Sequence, residues 1–286
     1  MYQKIKIWID ISKDDLVSSR ILYENKKYRN SYFLFQQASE KANKAFALLN
    51  KTLSETEAKE INHNQTKIYR NSFIKQQKNI SETIDLFKNI EIPESLEVFS
   101  QKQLKTYEVS LKNSISFIDS LRNCDLINIT ENTLNEFIIH IKEIQNFQLE
   151  LPKNFNTIFK NSILEISKWT QQFETEETKI SQKEIHDFLN NKKDSKLIFD
   201  SFKTVIYPLM IDIVFISQTL YYCAILTIQH SSLSRYPSDG VNPENIYIKS
   251  LPIVNKQIEV IEFLEEAILR MEKINNRKIL ENQHND

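Results

Sequence analysis

The chain has 286 residues and a single glycine, a composition that excludes the glycine-rich fold classes. Sandwiches, hairpin-rich sheets and glycine-rich phosphate loops need backbone positions of positive φ, which glycine supplies at the lowest steric cost. The 37 basic and 38 acidic residues give a net charge of −1, which excludes a bulk nucleic-acid binder of high pI.

The first 50 residues predict two helices, because apolar residues recur at steps of three and four in both. The first covers residues 2–25 and the second covers about residues 28–49. Ser12 and Asp15 form a capping pair if the first helix restarts there. The short polar join between the two helices predicts an antiparallel hairpin.

The rest of the chain is also predicted to be helical. A third helix begins at the capping pair Ser54 and Glu57 and continues to about Lys88. Further helices are predicted over about residues 100–123, 131–148, 152–174, 181–190, 194–231 and 246–281. Residues 230–245 form an irregular loop, since they contain the single glycine and two of the six prolines. The sequence therefore predicts an all-α fold.

Residues 205–228 form the most apolar segment, and their length suits a membrane span. Asp212 and Gln218 lie near its middle and favour a buried helix of a soluble protein, in which Gln36 or Lys44 would be their partners. The N-terminus shows no signal-peptide pattern, and the two distant cysteines fit a reducing compartment. We therefore expect a cytoplasmic protein without a membrane span.

Three sequence pieces carry a resemblance to a known family. The pieces are Gln36-Gln37-Ala38 with Glu40-Lys41-Ala42 and Lys44-Ala45, then Asn62-His63-Asn64, and finally Arg235-Tyr236-Pro237. Their residue types and order resemble the HEPN family, over about residues 1–75 and 195–280.

The resemblance implies an antiparallel HEPN-like up-and-down helical bundle with an inserted helical region. Residues 1–79 and 195–286 would form the discontinuous bundle, and residues 80–194 the insertion. Family members are associated with RNA cleavage, with toxin–antitoxin or other defence systems, and with nucleotidyltransferase partner proteins; they are commonly dimers. A homodimer is therefore implied here as well.

Nuclease members of the family carry an arginine and, four to six residues later, a histidine at the start of the last helix. Such a pair lets the histidine act as acid or base while the arginine stabilises the charge on phosphorus. Gly240, Val241 and Asn242 occupy the positions where that histidine would follow Arg235, so the motif is broken. Ribonuclease activity is thereby placed in doubt.

The candidate ligand-binding residues lie on the second helix and in the irregular loop. They are Gln37, Glu40, Lys41, Lys44 and Tyr236. The four candidates on the second helix are spaced in steps of four, Gln37 with Lys41 and Glu40 with Lys44, which places them on one side of that helix. This side either binds a nucleotide or phosphate, or it carries only solvated ion pairs.

The candidate catalytic residues are Arg235, His63 and His230. Arg235 would contact a phosphate, or else the carbonyl groups that end the apolar helix. His63 could exchange a proton in catalysis or be structural, and His230 precedes Arg235 in the reverse order of the nuclease motif. Arg277 and His284 repeat the motif's spacing at the C-terminus, where chance is the alternative.

Three functions are consistent with these residues. The first is a HEPN-like protein that binds nucleotide, RNA or a nucleotidyltransferase-type partner without catalysis of its own. The second is a metal-independent ribonuclease that uses Arg235 with His63 or His230, and the third is a helical protein-interaction module. For all three functions, we expect the fold to bring the polar side of the second helix near Arg235. No metal or other cofactor is expected, since the histidines lack zinc-site spacing and one glycine excludes a P-loop.

Overall fold

A computed structural model describes residues 1–88, 100–147, 153–170, 183–185, 187, 191–236 and 242–283. Every regular element in these ranges is helical, so the predicted all-α bundle is confirmed. Two compact units are present. The first consists of residues 1–73, 114–147 and 211–286, and the second of residues 74–113 and 148–210.

The helices confirm most of the predicted segments. They are α1 Tyr2–Glu24, α2 Tyr28–Leu49, α3 Glu55–Glu60, α4 Thr66–Leu86, α5 Gln101–Ser120, α6 Glu131–Gln145, α7 Phe155–Thr170, α8 Lys192–Ser201, α9 Tyr207–Thr227, α10 His230–Leu233, α11 Pro252–Asn255 and α12 Gln257–Gln283. Leu121–Asn123 and Pro243–Asn245 form 3-10 turns, and Phe202–Ile206 forms a π-helical segment.

Helices α1 and α2 pack as the predicted antiparallel hairpin through buried serines. The Ser19 hydroxyl donates to the carbonyl of Ser31 at 2.7 Å, and the Ser31 hydroxyl donates to the carbonyl of Ser19 at 2.8 Å. Ser12, in the middle of α1, donates to the carbonyl of Ala38 at 2.7 Å. The helix is continuous through Ser12, so the conditional capping pair with Asp15 does not form, and the Ser12 hydroxyl instead serves the contact between the two helices.

The predicted third helix is broken into α3 and α4. Its predicted start is confirmed: the Ser54 side chain accepts from the Glu57 N–H at 3.3 Å, and the Ser54 N–H donates to the Glu57 carboxylate at 2.6 Å. The helix stops at Glu60 because Asn62 adopts φ 52°, a left-handed conformation that asparagine tolerates. This corner carries His63.

The last predicted helix starts later than expected. Pro252 occupies the first turn of the short helix α11, and α12 begins at Gln257. Proline suits a helix start because its missing N–H has no intrahelical partner there. Helix α12 then runs antiparallel to α1, with Lys13 paired to Glu272 at 2.9 Å and Arg20 paired to Glu265 at 2.7 Å.

The C-terminal half of α9 lies in the core of the first unit. Phe215, Ile216 and Leu220 are fully buried there, and the Tyr32 hydroxyl of α2 donates to the carbonyl of Leu226 at 2.8 Å. Residues 114–147, which the sequence analysis assigned to an insertion, also belong to this unit, since Leu121 and Leu126 pack with Ile225 of α9 in one hydrophobic cluster.

Among the described residues, one segment, Lys196–Thr227, is long and apolar enough to cross a membrane when judged by length and composition alone. Within the first unit, Asp212 of this segment accepts a hydrogen bond from Arg270 of α12 at 3.0 Å. Its predicted pairing with Gln36 or Lys44 is therefore wrong.

The second unit has an aromatic cluster of its own. Phe155 and Phe159 of α7 pack against Phe202 with ring centroids 5.3 and 5.4 Å apart, and Phe159 also meets Phe199 of α8 at 5.4 Å. Several positions named in the sequence analysis lie outside the described residues. They are Pro237, Gly240, Val241, His284 and most of the helix predicted over 181–190.

Candidate functional site

One side of α2 carries most of the predicted ligand-binding residues. Phe33, Gln37, Glu40 and Lys44 follow one another at steps of four, three and four, which places them along one face of a helix. We call these four residues the α2 strip. From Phe33 to Glu40 the strip covers about 10 Å, because a helix rises about 1.5 Å per residue.

Glu40 is the centre of an ionic cluster on the strip. Its side chain is 9% exposed, and it accepts from the Lys44 ammonium at 2.9 Å and meets Nδ1 of His63 at 2.8 Å. Burial raises the pKa of Glu40, but the contacts with Lys44 and His63 outweigh burial and hold the pKa below its ordinary value. The carboxylate is therefore ionised at neutral pH.

His63 projects from the corner between α3 and α4. Its side chain is 54% exposed although Nδ1 is held by Glu40, so Nε2 is the ring nitrogen left for a ligand. A carboxylate on Nδ1 fixes the orientation and tautomer of an imidazole. Sequence reasoning named both residues but missed the contact between them, because it depends on the turn at Asn62.

Lys41 does not join this cluster. Its ammonium pairs with Asp15 of α1 at 2.5 Å and lies 3.4 Å from the side-chain oxygen of Gln37. Lys41 therefore connects the two helices of the hairpin, beside the strip rather than on it.

Arg235 and Tyr236 lie at the other end of the strip. The Arg235 guanidinium is 5.5 Å from the ring centre of Phe33 and 5.2 Å from that of Tyr236. Both residues are exposed, and Tyr236 retains 59% of its accessible surface. The fold thus brings the arginine loop onto α2, one helical turn from Gln37, as the sequence analysis expected.

Arg29 anchors the segment that carries Arg235, and sequence reasoning missed it. Its guanidinium donates to the backbone carbonyl of Ser234 at 2.9 Å and to the Glu244 carboxylate at 2.5 Å. These contacts fix the chain on both sides of the loop to the start of α2. The sequence around Arg29 does not indicate this anchoring contact, because its partners lie about 200 residues away in the chain.

His230 lies in the core of the first unit. Its Nδ1 is 2.6 Å from the Tyr247 hydroxyl, and its ring centre is 4.6 Å from that of Tyr32. Burial lowers the pKa of His230 to about 4, so the imidazole is neutral at physiological pH. The structure does not bring this histidine to the α2 strip.

The described residues contain no group of three or more His, Cys, Asp or Glu side chains placed to hold a metal ion.

In the comparisons with known proteins, the model of the HEPN domain family matches residues 5–124. This confirms the predicted resemblance for the N-terminal part of the chain. The match also covers residues 80–124, which the sequence analysis assigned to the insertion, and it does not include residues 195–280. Neither a curated protein nor a solved structure matches the chain.

Proposed function

Starting from the match of residues 5–124 to the HEPN domain, we propose that this protein binds a nucleotide or an RNA strand along the α2 strip without cleaving it. One observation carries the proposal: an exposed arginine beside an aromatic ring lies next to Phe33 of the strip, and a carboxylate-held histidine lies next to Glu40. Arg235 supplies a fork of N–H donors for phosphate, and Tyr236 supplies a surface on which a base stacks.

The distance along α2 favours binding over cleavage. A metal-independent ribonuclease needs an acid or base and a cation at the same phosphate. Arg235 contacts Phe33 while His63 contacts Glu40, two helical turns away, so a ligand that touches both must extend along the helix. The second candidate partner, His230, is buried and neutral.

The ribonuclease is kept as a second candidate because of the Glu40–His63 contact. Nδ1 held by a carboxylate and Nε2 on the exposed side is an arrangement that serves proton transfer. In this function an RNA would bend so that one phosphate meets both Arg235 and His63.

The cellular setting we propose rests on the family resemblance alone. Members of the HEPN family are associated with defence and toxin–antitoxin systems, and we propose that this protein acts in such a system in the cytoplasm, as a homodimer with a nucleotidyltransferase-type partner. The third alternative, a helical protein-interaction module, is the one that an absence of any nucleotide response would favour.

The test uses the purified protein and Arg235→Ala, with Lys273→Ala as the control because Lys273 is an exposed cation on α12. Total RNA incubated without added metal should stay intact. The melting temperature should rise on adding nucleotides or RNA, since a ligand that binds only the folded state stabilises it. The rise should be smaller in Arg235→Ala than in the wild type and unchanged in the control.

Two results would overturn the binding proposal. RNA cleavage that disappears in Arg235→Ala and in His63→Ala would identify the ribonuclease instead. An unchanged melting temperature with every nucleotide and RNA, together with intact RNA, would leave the interaction module as the function.

A further inference from the structure

A basic cleft lies where α4 begins and α5 ends, entirely within the first unit. Its volume is about 550 Å³, within the range of small-molecule sites. Lys67 and Arg70 line it from α4, and Arg122 lines it from the turn after α5. The cleft shares no residue with the α2 strip, although Asn64 on its rim directly follows His63.

Asp119 holds the two arginines in place. Nε and one terminal nitrogen of Arg70 donate to the two Asp119 carboxylate oxygens at 2.8 and 3.1 Å. Nε of Arg122 donates to the Asp119 backbone carbonyl at 3.2 Å. The hydrogen bonds from Arg70 hold the pKa of Asp119 below its ordinary value, so this carboxylate is ionised at neutral pH.

The charges in the cleft do not cancel. Lys67, Arg70 and Arg122 supply three positive charges against the one negative charge of Asp119, which leaves a net charge of +2. The whole chain has a net charge of −1 and only seven arginines, so the cleft is a local concentration of positive charge. Such a surface attracts an anion.

The donors that remain suit a phosphate group. Arg70 donates to Asp119 from Nε and one terminal nitrogen, and its other terminal nitrogen makes no hydrogen bond to Asp119. The Arg122 side chain is 77% exposed. Planar N–H forks match the oxygens of a phosphate. The start of α4 adds the positive end of a helix dipole on the same side as Lys67.

The remaining lining suits the rest of a nucleotide. Asn64 and Asn71 offer amide donors and acceptors, and Ile118 and Ile228 form an apolar wall. A simple inorganic anion would need neither of these. Amide edges and an apolar wall are the groups that a base and a sugar require.

We propose that this cleft binds the phosphate of a nucleotide, taken either as a free nucleotide or as part of an RNA strand. The inference stands on the cleft's own residues and does not depend on the α2 site.

The test measures dissociation constants by titration calorimetry with three probes: inorganic phosphate, AMP and a short single-stranded oligoribonucleotide. The variants are Arg122→Gln and Lys67→Gln, with Lys273→Gln as a matched control that removes the same charge from an exposed helix position. Arg122 is highly exposed, so its variant should fold normally. Loss of one charged hydrogen-bond donor should weaken binding about tenfold in each cleft variant.

The probes distinguish the two sources of the phosphate. Tight binding of AMP identifies a free-nucleotide site. Binding of the oligoribonucleotide alone, with a salt-dependence slope reduced by about 0.7 in Arg122→Gln, identifies an RNA contact.

The proposal is overturned if none of the probes binds, or if binding is equal in the two cleft variants and the control. An Arg235→Ala variant separates this result from the α2 proposal. Binding that Arg235→Ala weakens and the cleft variants leave unchanged would support the α2 site and end the inference about the cleft.

Discussion

His63 and His230 are two histidines of one unit with opposite environments. His63 lies at a chain corner with its ring largely exposed and one nitrogen held by Glu40. His230 is buried between Tyr32 and Tyr247, where the loss of solvent lowers its pKa more than the charge of Asp125 raises it. Exposure and a carboxylate partner make the first suitable for ligand chemistry, whereas burial makes the second a neutral packing group.

The buried His230 makes stability depend on pH. Its pKa in the folded protein is about 4, below the ordinary value of 6.5, so the unfolded chain takes up the proton first as the pH falls. Stability from this group is complete above pH 6.5 and is lost as the pH falls towards 4. Between about pH 7 and pH 5 we expect a loss of about 2 kcal/mol.

Urea unfolding of the wild type and of His230→Gln at both pH values measures this loss. The variant should lack most of the pH-dependent decrease, whatever its stability at neutral pH. An equal decrease in both proteins would show that His230 is not the group responsible.

The turn between α3 and α4 shows how one residue shapes an element boundary. The capping box at Ser54 starts α3, but the helix lasts only to Glu60 because Asn62 turns the chain with φ 52°. Without that turn the helix would continue and carry His63 along with it. The corner therefore sets where His63 meets Glu40 on α2.

A substitution at Asn62 tests the role of this corner. Asn62→Ala should destabilise the protein by about 1 kcal/mol, because a Cβ without a local hydrogen-bonding group disfavours the left-handed region. Asn62→Gly should be close to neutral, since glycine adopts this conformation without steric cost. Thermal unfolding of both variants compares them. Equal stability of the two variants would contradict a conformational role for Asn62.

At the scale of the whole molecule, α9 is the element whose setting matters most. Its C-terminal half is buried in the first unit, and Asp212 is paired with Arg270 of α12, which also lies 4.2 Å from the ring centre of Phe215. The same segment passes a test for membrane spans that uses only length and composition. The neighbours of this segment, rather than its composition, show that its C-terminal half is a core helix.

We therefore expect the protein to stay in the supernatant when cells are lysed without detergent and centrifuged at high speed. The paired Asp212 and the buried C-terminal half of α9 disfavour insertion of this segment into a bilayer. Quantitative immunoblotting of supernatant and pellet measures the distribution. Recovery in a pellet from which detergent releases the protein, but urea does not, would show that the segment spans a membrane.

The sequence by itself determined the helical class, the α1–α2 hairpin and the start of α3. Each of these depends on residues close in the chain: the spacing of apolar side chains, one short join and a capping pair three residues apart. It also named Glu40, His63, Arg235 and Tyr236 as candidate site residues, which stay a prediction.

Only the tertiary structure decided how those residues meet. Glu40 contacts His63 across a turn that depends on the left-handed conformation of one asparagine. Arg29 anchors the Arg235 loop from the far end of the chain, and Asp212 takes Arg270 rather than a residue of α2. The basic cleft joins side chains of α4 with the end of α5 about 50 residues later. Periodicity shows which face of a helix is buried, but the partner against it is chosen by packing, and packing brings together residues that have no local relation in the sequence.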